Sequence, residues 1–230
     1  MNADDFGMCR SVNRGIVHAH EHGIVTSASL MVHGAAAGEA AGYARDHPKL
    51  SVGLHLDLAE WVYEEEWALR YQYVDTDDFG LVELEVARQL RRFEALVGRS
   101  PTHLDSHQHV HRGEPVSSIL MAAGEELGVP VRDQSPLVRY RGDFYGQTGK
   151  GAPYHEALTI AALCALVAGL PGGVTELGCH PGFIDDLESV YRLEREVEAR
   201  VLCESAVRQA LASGNVRLVG FNDLAGLPAS

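Results

Sequence analysis

The sequence predicts an α/β fold built on parallel strands, either closed or partly closed into a barrel or opened as a doubly wound sheet. Three observations carry that expectation. Short β-branched runs alternate with helix-period segments along the chain. The composition, 46% apolar and 22% charged, is that of a globular protein. At 230 residues the chain can bury a full core without disulfides. Alternating elements call for parallel strands joined by crossover helices, and in such folds chemistry gathers where strands end and loops begin. No repeat, low-complexity segment or internal linker interrupts the pattern, so a single domain over residues 1–230 is expected.

Ser11 is placed to cap a helix through Val12, Ile16, Val17 and His20 that stops at Gly23. The run Ile24 to Val32 follows as a strand, then a helix from Ala35 to Asp46 ended by Pro48, then a strand from Ser51 to Leu58. The polar, aromatic connection from Ala59 to Gly80 exceeds usual loop lengths, which points to function. Its Asp77-Asp78-Phe79-Gly80 reads as the cap of the periodic helix Leu81 to Val97. Thr102 to Ser106 is a short strand, followed by a histidine-rich turn, a helix from Val116 to Leu127 and a strand around Val129 to Arg132. A second long connection, Asp133 to His155, leads into the apolar stretch Ala157 to Leu170. That stretch is 14 residues long, whereas a membrane span needs about 20, so it reads as a buried helix. A strand from Val174 to Cys179, a Pro-Gly turn, a long amphipathic helix ending near Ser213-Gly214 and a last strand from Val216 to Gly220 complete the order.

Charge and cysteine usage exclude several partners. Subtracting 32 acidic from 19 basic residues gives a net −13, which repels phosphate backbones and anionic lipid, so neither nucleic acid nor a membrane is expected. Cys9, Cys164, Cys179 and Cys203 match neither zinc-finger nor redox-pair spacing, as in a reduced cytoplasmic protein. Two carboxylates within the first five residues leave no room for a secretory signal.

The chemistry-bearing residues fall at the carboxyl ends of the expected strands: Asp4, Asp5, His55, Asp105, His107, His109, His111 and His180. His18, His20 and His22 lie on a helix and read as surface. From His103 to His111, histidine or aspartate occupies every second position and would share one face of an extended chain. Clustered imidazoles without a cation need separate partners or repel one another once protonated, so a metal is the economical way to hold them. His55 lies in a short alternating strand, where it is either a core histidine bonded to a carbonyl or a metal ligand, and the small Gly53 beside it suggests close backbone approach. In an extended segment the side chains of Asp4 and Asp5 diverge, so one can bind a cation while the other faces water or substrate. The Pro181-Gly182 turn would aim His180 at the same face, as a candidate acid. No G-x-S-x-G elbow, P-loop or G-x-G-x-x-G occurs.

Five stretches together resemble the YdjC-like carbohydrate deacetylases. They are Asn2-Ala3-Asp4-Asp5-Phe6-Gly7; Gly23-Ile24-Val25-Thr26-Ser27 with Leu30-Met31; Gly53-Leu54-His55-Leu56; the block from Pro101 to His111; and Cys179-His180-Pro181-Gly182. The resemblance implies an irregular (β/α) barrel of the glycoside hydrolase and deacetylase type. Its first strand is expected to be missing or shortened, because Met1 directly precedes the Asp-Asp motif. It implies a divalent ion on Asp5, His55 and His107, Asp4 as base, and His180 as acid. Asp105, His109, His111 and Arg132 become substrate-binding residues or supports behind the ligands.

The expected function is therefore metal-dependent removal of an acetyl group from an N-acetylated sugar. Nitrogen-rich ligation with one carboxylate favours zinc, with cobalt, nickel, manganese or magnesium as alternatives. Trp61, Tyr63, Trp67, Tyr71 and Tyr73 offer an aromatic sugar platform or, alternatively, pack on the barrel rim. A homodimer is compatible with the sequence. The competing readings are a sugar- or metal-binding protein of the same fold without full activity, and a metal phosphoesterase, which should show more Arg and Lys near the cluster than Arg112.

Overall fold

The computed structural model describes residues 1–227. The six strands of its main sheet are all parallel: β1 (Asn2–Phe6), β2 (Ser27–Leu30), β3 (Ser51–Leu56), β6 (Leu104–Ser106), β7 (Arg139–Arg141) and β8 (Thr175–Cys179). Their spatial order is β6-β3-β2-β1-β8-β7, curled as a half-barrel. The (β/α) architecture is as expected. β1 is short but present, is buried at every position, and is formed by the Asp-Asp motif itself.

Helices α1 (Arg10–Glu21), α2 (Ala37–Asp46), α3 (Phe79–Val97), α4 (Val116–Leu127), α5 (Ile160–Ala168), α6 (Leu193–Val201) and α7 (Ser205–Ser213) complete the fold. Each of the first four buries one face, as amphipathic spacing requires: Val12, Ile16 and Ala19 from α1, and Val82, Val86, Phe93 and Val97 from α3. Asp78 caps α3 by accepting from the Leu81 amide, so the second Asp-Phe-Gly copy is a cap and nothing more. Gly98 and Gly128 close α3 and α4 in the left-handed conformation.

Several local expectations are corrected. The cap of α1 is Cys9, not Ser11, whose amide instead donates to Asp186. The connection after β3 is not a loop but a hairpin, β4 (Ala59–Tyr63) and β5 (Trp67–Gln72), an antiparallel ladder in which Tyr63 faces Trp67. The strand expected near Val129 shrinks to a single bridge between Val131 and Leu104. The loop from Asp133 to His155 contains β7. The apolar helix is not buried all round: α5 buries only Leu163 and Val167, with Thr159 as its cap. The long helix breaks into α6 and α7 at Leu202-Cys203-Glu204, and residues 216–220 form no strand. Instead this segment runs past the amino ends of the sheet, where the Val219 carbonyl accepts from the Thr26 hydroxyl.

Two glycines position the site. A Cβ at Gly53 would lie 2.5 Å from the His103 carbonyl oxygen, so only glycine lets β3 and β6 approach closely enough to bring His55 beside Asp105. A Cβ at Gly15 would lie 2.3 Å from Gly182, so α1 holds the turn after His180 by backbone contact.

Candidate active site

Asp5 stands at the centre of the strand ends. Its backbone is left-handed, with φ 67°, a conformation costly for any residue with a Cβ. This turn separates the two aspartates: Asp4 faces Arg132, whereas Asp5 faces His55, His107 and Arg195. Asp5 Oδ1 lies 3.3 Å from His55 Nε2 and 3.2 Å from His107 Nδ1, yet it is buried and makes no hydrogen bond. One donor atom from each of these three buried side chains lies within 4.8 Å of the other two.

That arrangement fits a metal ion. A buried carboxylate oxygen without a proton donor is costly unless a cation faces it. His55 Nδ1 donates to Asp105 Oδ1 at 2.7 Å, which fixes the tautomer and leaves the Nε2 lone pair pointing at the cluster. Asp105 is held in turn by the Ser29 hydroxyl at 2.6 Å. Burial alone would raise the Asp5 carboxyl, but the Arg195 guanidinium and the two imidazoles outweigh it and hold the group well below the usual carboxylate range. His55 moves the opposite way: burial opposes its charge, and the neighbouring carboxylates, Asp105 first, prevail.

Beside the cluster, Arg132 Nη1 and Nη2 grip the two oxygens of Asp4 at 2.7 Å each. The same guanidinium bonds Glu176 and lies 2.7 Å from Asp105, with its face 4.7 Å from the Tyr140 ring centroid. Burial would raise Asp4, and Arg132 overcomes it, so Asp4 is held ionised. Burial pushes Glu176 up to about 7 despite the same arginine. A second carboxylate-rich grouping, Asp4, His55 and Asp105, lies within ion-binding distance, but Arg132 already occupies its carboxylates.

His180 Nε2 lies 3.8 Å from Asp4 Oδ2. Its ring sits edge-on to Tyr145 and Tyr191, which are stacked at 4.5 Å. Burial pushes its pKa down to about 4, so the imidazole is neutral at pH 7. Its backbone amide donates to Glu198 at 2.5 Å.

The histidine-rich segment does not keep one extended face. The strand ends at Ser106, and the chain turns through His107–Arg112 with Gln108 and His109 both left-handed, at φ 52° and 55°. Three histidines are thereby separated. His107 meets Asp5, His109 packs edge-on to Tyr140 at 5.4 Å, and His111 is fully buried with Nδ1 on the Ser106 hydroxyl.

All of Asp4, Asp5, His55, His107, His109 and His180 line one cleft of about 960 Å³. Asp105, His111 and Arg132 stand behind that surface. Of the five aromatics singled out by sequence, Trp61, Tyr63 and Trp67 also line the cleft. Tyr71 instead donates to Asp57, and Tyr73 packs on His33. Sequence reasoning missed Arg195, Glu176, Glu198 and Tyr191. They sit in an ordinary amphipathic helix, its leading loop and a β-strand, where no spacing marks them as different from solvated charges.

The half-barrel with a buried Asp-His-His cluster and an Asp-His pair at its strand ends defines a barrel-like α/β protein with a candidate metal site at the carboxyl ends of its strands. More particularly, the family of YdjC-like proteins matches residues 1–213, and the chain belongs to that family. Among relatives, a chitooligosaccharide deacetylase from Klebsiella pneumoniae (strain 342) is 33% identical, covering 97% of this chain and 98% of the relative. A carbohydrate deacetylase from Brevibacillus brevis is also 33% identical, with the same coverage. A crystal structure from Enterococcus faecalis, provisionally described as a cellobiose-phosphate cleavage protein, superimposes with a TM-score of 0.80 at 25% identity over 97% of both chains. A family 4 carbohydrate esterase from Streptomyces lividans shares the fold at a TM-score of 0.57 and 13% identity, covering 94% of this chain and 88% of that one. Among the described residues, no helix is long and apolar enough to cross a membrane.

Proposed function

We propose that this protein is a metal-dependent hydrolase that removes the acetyl group from an N-acetylated sugar. One observation carries the reading. Asp5 Oδ1 is buried and unpaired beside two imidazoles, while the ionised Asp4 and the neutral His180 face the same cleft. Deacetylase relatives over the whole chain support it.

In this reading Asp5, His55 and His107 hold one divalent ion. What such an ion supplies is Lewis acidity, which polarises an amide carbonyl and acidifies water. Nitrogen-rich ligation favours zinc. Asp4 accepts the proton of the attacking water, with its two oxygens kept in place by the Arg132 fork. His180 begins neutral, and its Nε2 lies 3.8 Å from Asp4. The proton taken by Asp4 can therefore pass through His180 to the departing nitrogen, leaving acetate and an amino sugar. Arg132 keeps Asp4 a weak base, which makes it quick to release that proton.

A cleft of about 960 Å³ admits more than one sugar ring. Trp61, Tyr63 and Trp67 supply apolar faces for sugar rings. More arginine surrounds the cluster than Arg112 alone, as a phosphoesterase would require, but Arg132 is spent on Asp4 and Glu176 and Arg195 on Asp5, so neither is free to take a phosphate. The four free cysteines suit the cytoplasm.

The test is acetate release from N-acetylglucosamine oligomers with added zinc, in the parent and in Asp4→Asn and His107→Ala. The reading expects each variant to fall by at least about 100-fold. Undiminished turnover in both would end it, and sugar binding without turnover in the parent would favour a non-catalytic protein.

A further inference from the structure

Resting on that reading, we infer that Arg195 is a positioning residue for the ion site, holding Asp5 in a one-oxygen binding mode and tying that carboxylate to the strand end that carries His180.

The two oxygens of Asp5 are treated unequally. Oδ2 accepts from Arg195 Nη2 at 2.5 Å, whereas Oδ1 has no hydrogen bond and faces the two imidazoles. A carboxylate with one oxygen engaged by a guanidinium cannot turn both oxygens to an ion. Asp5 itself is left-handed within β1, where the pairing with β2 is irregular. The remaining nitrogens of Arg195 are fixed as well: Nε donates to the Tyr191 carbonyl at 3.1 Å and Nη1 to the His180 carbonyl at 3.4 Å. The guanidinium is buried and joins Asp5, 190 residues away in sequence, to His180 and Tyr191.

The start of α6 and the loop leading into it supply this clamp: Arg195 and Glu198 lie three residues apart on α6, and Tyr191 stands in the loop just before the helix. Glu198 accepts from the His180 amide, and from the Tyr191 hydroxyl. α6 therefore grips the site at two points, Asp5 through Arg195 and His180 through Glu198. Lysine cannot replace arginine here, because a single ammonium cannot reach three acceptors in a fixed fork.

Charge alone and positioning predict opposite signs. If Arg195 only neutralised a buried carboxylate, removing its positive charge would strengthen cation binding. If it aims the carboxylate, removal weakens binding by about 10–100-fold, the range typical of groups that orient metal ligands. The experiment measures Zn²⁺ affinity by chelator competition and the visible spectrum of the Co²⁺-loaded protein, in the parent, Arg195→Met and Arg195→Lys. The inference expects affinity to fall 10–100-fold in Arg195→Met, with at most partial recovery in Arg195→Lys, and a changed cobalt spectrum in both. Unchanged or tighter binding, or an unaltered spectrum, overturns it. If Arg195→Met does not fold, Arg195→Lys decides alone, since it keeps the charge but loses the fork. A parent that binds no ion in competition with chelator would instead refute the ion-site reading itself.

Discussion

Arg132 and Asp4 meet through two parallel bonds of 2.7 Å each, 128 residues apart in sequence and both buried. The guanidinium is shared with Asp105 and Glu176, so one cation balances a buried carboxylate cluster. Removing it leaves those charges unpaired in the core. Arg132→Met is expected to cost about 3–5 kcal/mol in unfolding free energy, read by denaturant titration. Acetate release should fall by at least about 100-fold, because Asp4 loses the fork that aims it. A variant with parental stability would contradict the network.

His111, behind the cleft surface, gives a pH test read from stability rather than activity. It is fully buried, its Nε2 has no partner, and burial pushes its pKa down to about 4. Unfolded, it titrates near 6.5. Between those values the unfolded chain binds a proton that the folded protein refuses, so the histidine lowers stability as the pH falls. Relative to His111→Gln, the parent should lose roughly 1 kcal/mol per pH unit from pH 6 to 4.5. Unfolding curves of the two proteins at matched pH measure this, and parallel pH profiles would refute it.

The hairpin forms one wall of the cleft and is fastened to the histidine-rich turn. Gln108 exchanges two hydrogen bonds with the Trp61 backbone, at 2.9 and 2.7 Å, in the residue directly after His107. Trp61 and Trp67 are 43% and 54% exposed, enough for their faces to be free for a ligand. Trp61→Ala should raise KM for N-acetylated oligosaccharides about tenfold with kcat little changed, since it removes binding shared by ground and transition states. A matching loss in kcat would place Trp61 in the reaction instead.

Much of this site was legible in the sequence. His55, His107 and His180 lie in or just after short predicted strands, and parallel strands bring such ends together, whereas Asp4 and Asp5 have only Met1-Asn2-Ala3 before them and were legible through the motif they form. That Asp4 and Asp5 point apart was expected from side-chain alternation, but the left-handed turn at Asp5 that separates them was not. The fan of His107, His109 and His111 was not legible, because two consecutive left-handed residues at Gln108 and His109 have no glycine to announce them. Nor was the hairpin, whose strands are joined through Glu64-Glu65-Glu66 without a two-residue turn signal. Arg132 was undervalued and Arg195 missed for one reason: an arginine declares its partner only in three dimensions, and both partners lie more than 100 residues away.

The central claim is that one divalent ion is held by Asp5, His55 and His107. The most direct measurement is an anomalous difference map at the zinc edge from crystals grown with zinc. The account predicts a single strong peak about 2.0–2.2 Å from an Asp5 carboxylate oxygen and one ring nitrogen of each histidine. A peak elsewhere, or a second of equal height among Asp4, Asp105 and Glu176, would contradict it.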